Sequence, residues 1–342
     1  LKFGPVPVEE AVGSVVAHAV RREGLVLKKG ELVDAARVGA LKAAGVAEII
    51  VARLESGDIS EDEAAERLAR ALAGENLRVE KPFTGRSNLF AETAGVLMLD
   101  VPALDRVNEI DERVTIATLP AFRAVVAGEM IATVKIIPFA APGAVVARAA
   151  DLAANVGLRI APFKPLRVGV VSTVLPGLKP STIAKTLRVL EERLAPASAT
   201  IASETRVDHR TDELATAIRR IAPDCDLVVV FGASAITDRR DVIPAAIEAA
   251  GGRIEQFGMP VDPGNLLLLG RLGEGATSKI ILGAPGCARS PKENGFDWVL
   301  QRILAGVPVT AADIRRMGAG GLLMEIVSRG QPRTGEEPQD ND

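Results

Sequence analysis

The sequence predicts an α/β protein: a three-layer α/β/α domain on a mostly parallel sheet, preceded by a smaller α+β domain. Three observations carry this. Apolar runs rich in β-branched residues, RVGVVS at 167–172, LVVVF at 227–231 and KIILG at 279–283, are continuous rather than alternating, as in strands covered on both faces. Stretches of helical period separate them. Each run also ends in a turn of small residues, Gly or Pro, where strand grammar gives way to helix grammar.

The boundary falls at PFKPL, 162–166, giving an accessory domain at 1–164, the α/β domain at 165–310 and an extension at 311–342 with a disordered tail from Arg329. In the accessory domain, GLVLKKGELV at 24–33 has the form of a hairpin about Lys28, Lys29 and Gly30, and the next helix stops before Gly45. VAEIIVA reads as a strand. Ser60 followed by Glu63 has capping-box spacing and opens a helix with Ala64, Leu68 and Leu72 on one stripe and Gly74 at its stop. GVLML at 95–99 and MIATVKIIPF at 130–139 have strand character, and the stretch 140–157 reads as a surface or connecting helix. His18, in SVVAHAV, has no ligand-spaced Cys, His or carboxylate beside it and reads as structural.

In the α/β domain the first strand, RVGVVS, passes through STVLPGLKPS into a helix with Ile183, Leu187, Leu190 and Leu194 on one face. ATIASETRV supplies the second strand, after which Thr211 is placed to cap a helix that buries Leu214, Ile218 and Ile221. LVVVF is the third strand, and its helix, with Ile243 and Ile247 inward, stops at Gly251 and Gly252. KIILG leads to a last helix carrying Phe296, Val299, Leu300, Ile303 and Leu304 and ending at Gly306.

Composition narrows the functional classes. The 342 residues are 48% hydrophobic and 3% aromatic with no Tyr, and carry a net charge of -3, which argues against a nucleic-acid binder. Two cysteines, Cys225 and Cys287, make no disulfide framework, and two histidines leave few soft ligands for zinc or iron. No uncharged apolar run reaches the ~18 residues of a membrane span, and no cleavable leader is evident, so a cytoplasmic, membrane-free protein is expected.

Ligands of such a sheet gather at the carboxyl ends of its strands. Three turns fall there: Gly232, Ala233, Ser234 and Ala235 after LVVVF, with Arg240 and Asp241 following; Asp262, Pro263, Gly264 and Asn265; and Pro285, Gly286 and Cys287 after KIILG. Small side chains let backbone N–H groups approach an anion, and a helix start adds favourable dipole charge.

The order of these motifs resembles the molybdopterin-binding domain of molybdenum cofactor biosynthesis proteins, a family that includes molybdopterin adenylyltransferases and molybdenumtransferases. The resemblance covers residues 166–306. The family's Gly-Gly-Thr-Gly turn, with Arg-Asp a few residues later, is matched by Gly232 to Ala235 with Arg240 and Asp241. Its Lys-Pro-Gly-Lys-Pro motif is matched by Asp262 to Asn265, and its Leu-Pro-Gly-Asn-Pro motif by Ala284 to Cys287. Gly24 to Val51 faintly resembles the accessory region of the molybdenumtransferases. The likeness is strongest to pterin-binding halves of proteins fused to a nucleotidyltransferase, with a polar tail after Gly320 expected in place of that second half.

The resemblance implies a molybdopterin ligand held by these turns with Ser172 and Thr173, and Mg and ATP if the chain catalyses. Asp208 and Asp241 are then the metal-ligating, catalytic pair, since nucleotidyl transfer needs hard oxygen ligands for magnesium. Each acid has a second reading, Asp241 as a helix N-cap and Asp208 as a solvated loop acid. Asp238 reads as a surface acid paired with Arg239 or Arg240. Arg239, Arg240, Arg289 and Lys292 are candidates to hold the pterin phosphate. His209 reads as a loop residue or a proton-transfer group, and Cys287 as a small wall residue.

Where the family carries Thr-Gly-Asp-Glu, this chain has Ser172, Thr173, Val174, Leu175, Pro176 and Gly177, and two turn glycines are replaced by Ala233 and Ala235. The missing acid favours a protein that holds molybdopterin for a separate nucleotidyltransferase or molybdoenzyme. The retained Arg240 and Asp241 favour an active adenylyltransferase or molybdenumtransferase. An unrelated nucleotide or sugar-phosphate binder is the third reading. Relatives of this kind imply a homo-oligomer.

Overall fold

The structure, a computed structural model, describes residues 1–275 and 278–323. The chain folds as two compact units, Leu1–Ala161 and Pro162–Asp342. The tail expected to be disordered from Arg329 lies outside the described residues. The fold is mixed α/β.

The first unit is built on antiparallel pairs and two cores. Strands Lys2–Pro7, Glu48–Arg53 and Val15–Val16 form a three-stranded sheet over helix Ala35–Ala43, and Val8, Val16, Leu41, Ile49 and Val51 fill the space between. Asp34 caps that helix by accepting from the Arg37 N–H at 2.8 Å. The hairpin falls earlier than the sequence suggests. Leu25–Leu27 pairs with Val20–Arg22, while Leu32 bridges to Val15. The turn is made at Gly24, whose φ of +73 suits a residue without a Cβ, so the chain reverses before the lysines.

The larger core of this unit lies between the sheet of Leu77–Val79, Arg86–Ala91, Met130–Ile136 and Val114–Thr118 and helices Glu61–Leu72, Val101–Asn108 and Gly143–Ala153. Ser60 is the N-cap of the first, accepting from the Glu63 N–H at 3.4 Å. Gly74 serves packing rather than a left-handed stop: a Cβ there would stand 2.5 Å from the Leu158 carbonyl oxygen. Gly143–Ala153, expected as a surface or connecting helix, buries Val146, Ala149 and Ala153 in this core.

The second unit carries one six-stranded sheet. Its elements are β1 (Arg167–Val174), α1 (Pro180–Leu194), β2 (Thr200–Asp208), α2 (Thr211–Ile221), β3 (Leu227–Phe231), α3 (Val242–Ala249), β4 (Gly252–Phe257), β5 (Leu268–Leu272), β6 (Lys279–Ala284), α4 (Gly295–Leu304) and α5 (Ala311–Arg315). The strand order is β2-β1-β3-β6-β5-β4. β2, β1, β3 and β6 are parallel, and β5 and β4 continue antiparallel at one edge.

Strand periodicity of two divides the buried side chains between faces. Val168, Val170, Val229 and Leu282 meet α1, α4 and the residues Ile314 and Met317; Val171, Val228, Val230 and Ile281 meet α2 and α3. Both faces being covered, every residue of β3 is buried, which is why LVVVF is a solid apolar run. Thr211 is the first residue of α2 rather than its cap; Arg210 holds the cap position without a side-chain capping bond.

No helix among the described residues is long and apolar enough to cross a membrane.

Candidate functional site

The parallel strands β1, β3 and β6 end at one edge of the sheet. Because β5 runs antiparallel to β6, with Leu268 opposite Gly283, the turn before β5 reaches that same edge. The topology therefore gathers all three sequence-predicted turns at one end. None of the turn residues lines the cavity at that end, although Phe231 and Arg289, beside two of the turns, do.

A cavity of about 10 Å³, room for one water-sized group, opens there. It is lined by Ser172 and Thr173 from the end of β1, Leu178, Thr182, Ile183 and Thr186 from the entry and first turns of α1, Phe231 from β3, and Arg289. Ser172 continues the row of Val168 and Val170 toward α1. Its hydroxyl is buried, with the residue 2% exposed, and has no hydrogen-bond partner. Thr173, 1% exposed, continues the row of Val171 and makes two bonds. Its Oγ1 accepts from the Ala233 N–H at 2.8 Å and pairs with His209 Nδ1 at 2.8 Å.

Arg289 is the cation of the cavity. Its Nη2 donates to the Gly232 carbonyl at 2.6 Å, and the guanidinium lies 5.7 Å from the Phe231 ring centroid. Among the described residues no carboxylate stands within ion-pair distance of it. Burial lowers its pKa from the ordinary arginine value, the signature of a cation short of solvent and counter-charge. The 15-residue α1, which starts at Pro180, adds its positive dipole end. A lone buried hydroxyl, an uncompensated cation and a helix start all favour an oxyanion in this space.

A second arginine, for which the sequence carries no signal, holds the Arg289 loop in place. Arg193 of α1 donates to the carbonyls of Ala288 at 2.8 Å and Ser290 at 2.7 Å, and pairs with Asp297 of α4. The two side chains are 10% and 9% exposed. Asp297 also accepts from the Asn294 N–H at 2.8 Å in a capping box that starts α4, and Asn294 Nδ2 donates to the Lys292 carbonyl at 3.0 Å. Asn294 and Asp297, three apart before an apolar helix, do carry a cap signal. Arg193 has none, because its partners lie about a hundred residues away.

The other predicted residues fall as follows. Gly232 makes the turn because a Cβ would meet the Ser234 carbonyl at 2.7 Å and Ile243 at 2.8 Å; Ser234 and Ala235 are exposed. Asp238 is paired with Arg240, whose guanidinium hydrogen bonds hold its carboxyl at about 2. That pair spends Arg240 on a local partner outside the cavity lining.

Asp241 caps α3: Oδ1 accepts from the Val242 N–H at 2.7 Å and Oδ2 from the Thr237 N–H at 3.3 Å. Asp208 is exposed at the end of the edge strand β2, opposite Val174, so β1 lies between it and β3. Two strand spacings are roughly 10 Å. Among the described residues no three His, Cys, Asp or Glu are grouped to hold a metal ion.

Pro285 and Gly286 lead into the short turn of Arg289, where the Cys287 carbonyl accepts from the Ser290 N–H at 3.0 Å. Asp262, Pro263, Gly264 and Asn265 form a turn against the start of α4. The Pro263 carbonyl accepts from the Gly295 N–H at 2.8 Å, and the Asp262 N–H donates to the Gly321 carbonyl at 2.8 Å. None of these four lines the cavity.

Residues 5–53 match a family described as Domain of unknown function (DUF8806). Among curated proteins, none matches the chain. Among solved structures, it is similar to a molybdopterin biosynthesis moeA protein from Pyrococcus horikoshii at 14% identity and a TM-score of 0.31, covering 92% of this chain and 77% of that one. A molybdenum cofactor biosynthesis protein from Pyrococcus furiosus follows at 11% identity and 0.23, covering 92% and 65%. A further moeA structure from P. horikoshii OT3 stands at 12% and 0.25, covering 90% and 74%. Likenesses at these TM-scores carry no argument about ligand or reaction.

Proposed function

We propose that the second unit holds molybdopterin for molybdenum cofactor maturation, with one oxygen of the pterin's phosphate entering the cavity of Ser172, Thr173 and Arg289. The motif order along the chain supports the pterin. The observation that carries the anion is the orphaned Ser172 hydroxyl beside an arginine with no carboxylate partner among the described residues. Burying an unpaired hydroxyl costs about 1–3 kcal/mol, and a ligand oxygen returns that cost as binding. In this reading Gly232 to Ala235 and Pro285 to Cys287 wall the approach, and Asp262 to Asn265 fix the start of α4 behind it. A separate nucleotidyltransferase or molybdoenzyme then receives the pterin.

Catalysis by a magnesium pair of Asp208 and Asp241 is the second reading. Asp241 would have to release both backbone N–H groups that it accepts, and Asp208 stands on the far side of β1. This donor set does not fit a magnesium ion as it stands, so holding is favoured over transfer. Incubation of the protein with molybdopterin and Mg-ATP, followed by mass spectrometry, separates the two. Pterin recovered bound and unmodified is the expected result; adenylylated pterin that disappears in Asp241→Ala would overturn it.

A further inference from the structure

The peptide joining Gly232 and Ala233 is hydrogen-bonded at both ends. Its carbonyl accepts from Arg289 Nη2 at 2.6 Å, and its N–H donates to Thr173 Oγ1 at 2.8 Å. Thr173 Oγ1 in turn meets His209 Nδ1 at 2.8 Å, and the His209 backbone N–H donates to the Val174 carbonyl at 2.9 Å. One unbroken chain therefore runs from His209, through Thr173 and a single peptide, to the cation of the cavity. Every link joins a different segment: the turn after β2, the end of β1, the turn after β3 and the loop after β6.

We propose that His209 is a positioning residue for the oxyanion site, acting on Arg289 through Thr173 and the 232–233 peptide. This rests on reading the cavity as an oxyanion site. A threonine hydroxyl has one proton and two acceptor sites. With one site taken by the Ala233 N–H, the hydroxyl needs a second partner to stay fixed, and His209 is that partner. Hydrogen bonds in series polarise one another, so a firm bond at Thr173 makes the Gly232 carbonyl a stronger acceptor for Arg289. The guanidinium is thereby held at the cavity wall. The coupling is reciprocal: an oxyanion that draws Arg289 toward itself loosens its bond to Gly232, and the change passes back to the His209 ring.

The test uses the full chain uniformly labelled in nitrogen-15, titrated with inorganic phosphate at constant pH. The chain has two histidines, so His18 is the internal control. Phosphate is expected to shift the His209 ring nitrogens and the Ala233 amide and to leave His18 unmoved. His209→Ala is expected to weaken phosphate binding about tenfold, the worth of one hydrogen bond near a charge. His209→Asn, which offers Thr173 an amide partner, restores most of it. In an Arg289→Ala background the His209→Ala change adds nothing.

A His209 ring that stays unchanged at phosphate saturation, or a well-folded His209→Ala that binds like wild type, overturns the relay while the cavity stands. Failure of the wild type to bind phosphate overturns the cavity reading and the relay together. If His209→Ala fails to fold, the wild-type ring titration decides alone.

Discussion

Arg289 donates to the Gly232 carbonyl at 2.6 Å, tying the loop after β6 to the turn after β3 across adjacent parallel strands. A charge so placed holds two ligand walls at a fixed separation and still has donors to spare. Arg289→Lys keeps the charge and loses the planar fork, while Arg289→Ala loses both. Anion affinity is expected to fall about tenfold in the first and more steeply in the second, by isothermal titration with phosphate. Folding is expected to survive, since one hydrogen bond from a charged donor is worth about 1.5–3 kcal/mol against the roughly 5–15 kcal/mol of a folded protein.

Ser172→Ala separates a ligand hydroxyl from a packing residue. Removing a buried hydroxyl that has no partner relieves its desolvation cost, so the ligand-free protein is expected to gain about 1 kcal/mol in urea unfolding. Phosphate affinity is expected to fall in the same variant. A hydroxyl with a purely structural role would lower stability instead.

Arg193→Met leaves Asp297 buried without its cation and the Ala288 and Ser290 carbonyls without the donor it supplies. A loss of about 3–5 kcal/mol is expected, measurable as a lowered denaturation midpoint. Pairing it with Asp297→Leu is expected to recover part of the loss, because the stranded charge is then gone.

Gly264 has φ +143, and a Cβ there would stand 2.8 Å from both the Cα and N of Gly295. Gly264→Ala is expected to cost about 2 kcal/mol or more, through backbone strain and a displaced start of α4. Thermal melts of the variant check this. Ala would be tolerated without loss if the turn were a free surface loop.

Asp111 contributes to the pH dependence of the first unit. Hydrogen bonds from Arg113 hold its carboxyl at about 2, against an ordinary 3.8. A depressed carboxylate contributes stability above its unfolded pKa and loses it as pH falls through the folded value. Wild type is therefore expected to melt above Asp111→Asn at neutral pH, the two curves converging between about pH 4 and pH 2. Curves that stay parallel across that window would contradict the pairing.

Much of this architecture is legible in the sequence because it is local. LVVVF is a solid apolar run since β3 is covered on both faces, and Ser60 and Asp241 sit where their helices need caps. Asp238 is legible as a surface acid paired with a neighbouring arginine, its partner being two residues away. What the sequence hides is non-local. Nothing in the letters around Arg193 points to Asp297, and Thr173 and His209 meet only because β1 and β2 pair in register. The turn Asp262 to Asn265 reads like a ligand loop, yet it is occupied with Gly295 and the 321–323 segment. The hairpin at 24–33 is ambiguous in sequence because Gly24 and Gly30 both take left-handed φ, and only pairing partners decide which one turns the strand.

An oxygen of molybdopterin's phosphate is proposed to enter the cavity at Ser172 and Arg289. Equilibrium titration of the protein with molybdopterin, followed by pterin fluorescence, tests it most directly. Saturable binding at one site per chain is expected, displaced by inorganic phosphate and weakened at least about tenfold in Arg289→Ala. Absence of binding, or an Arg289→Ala affinity equal to wild type, would contradict it.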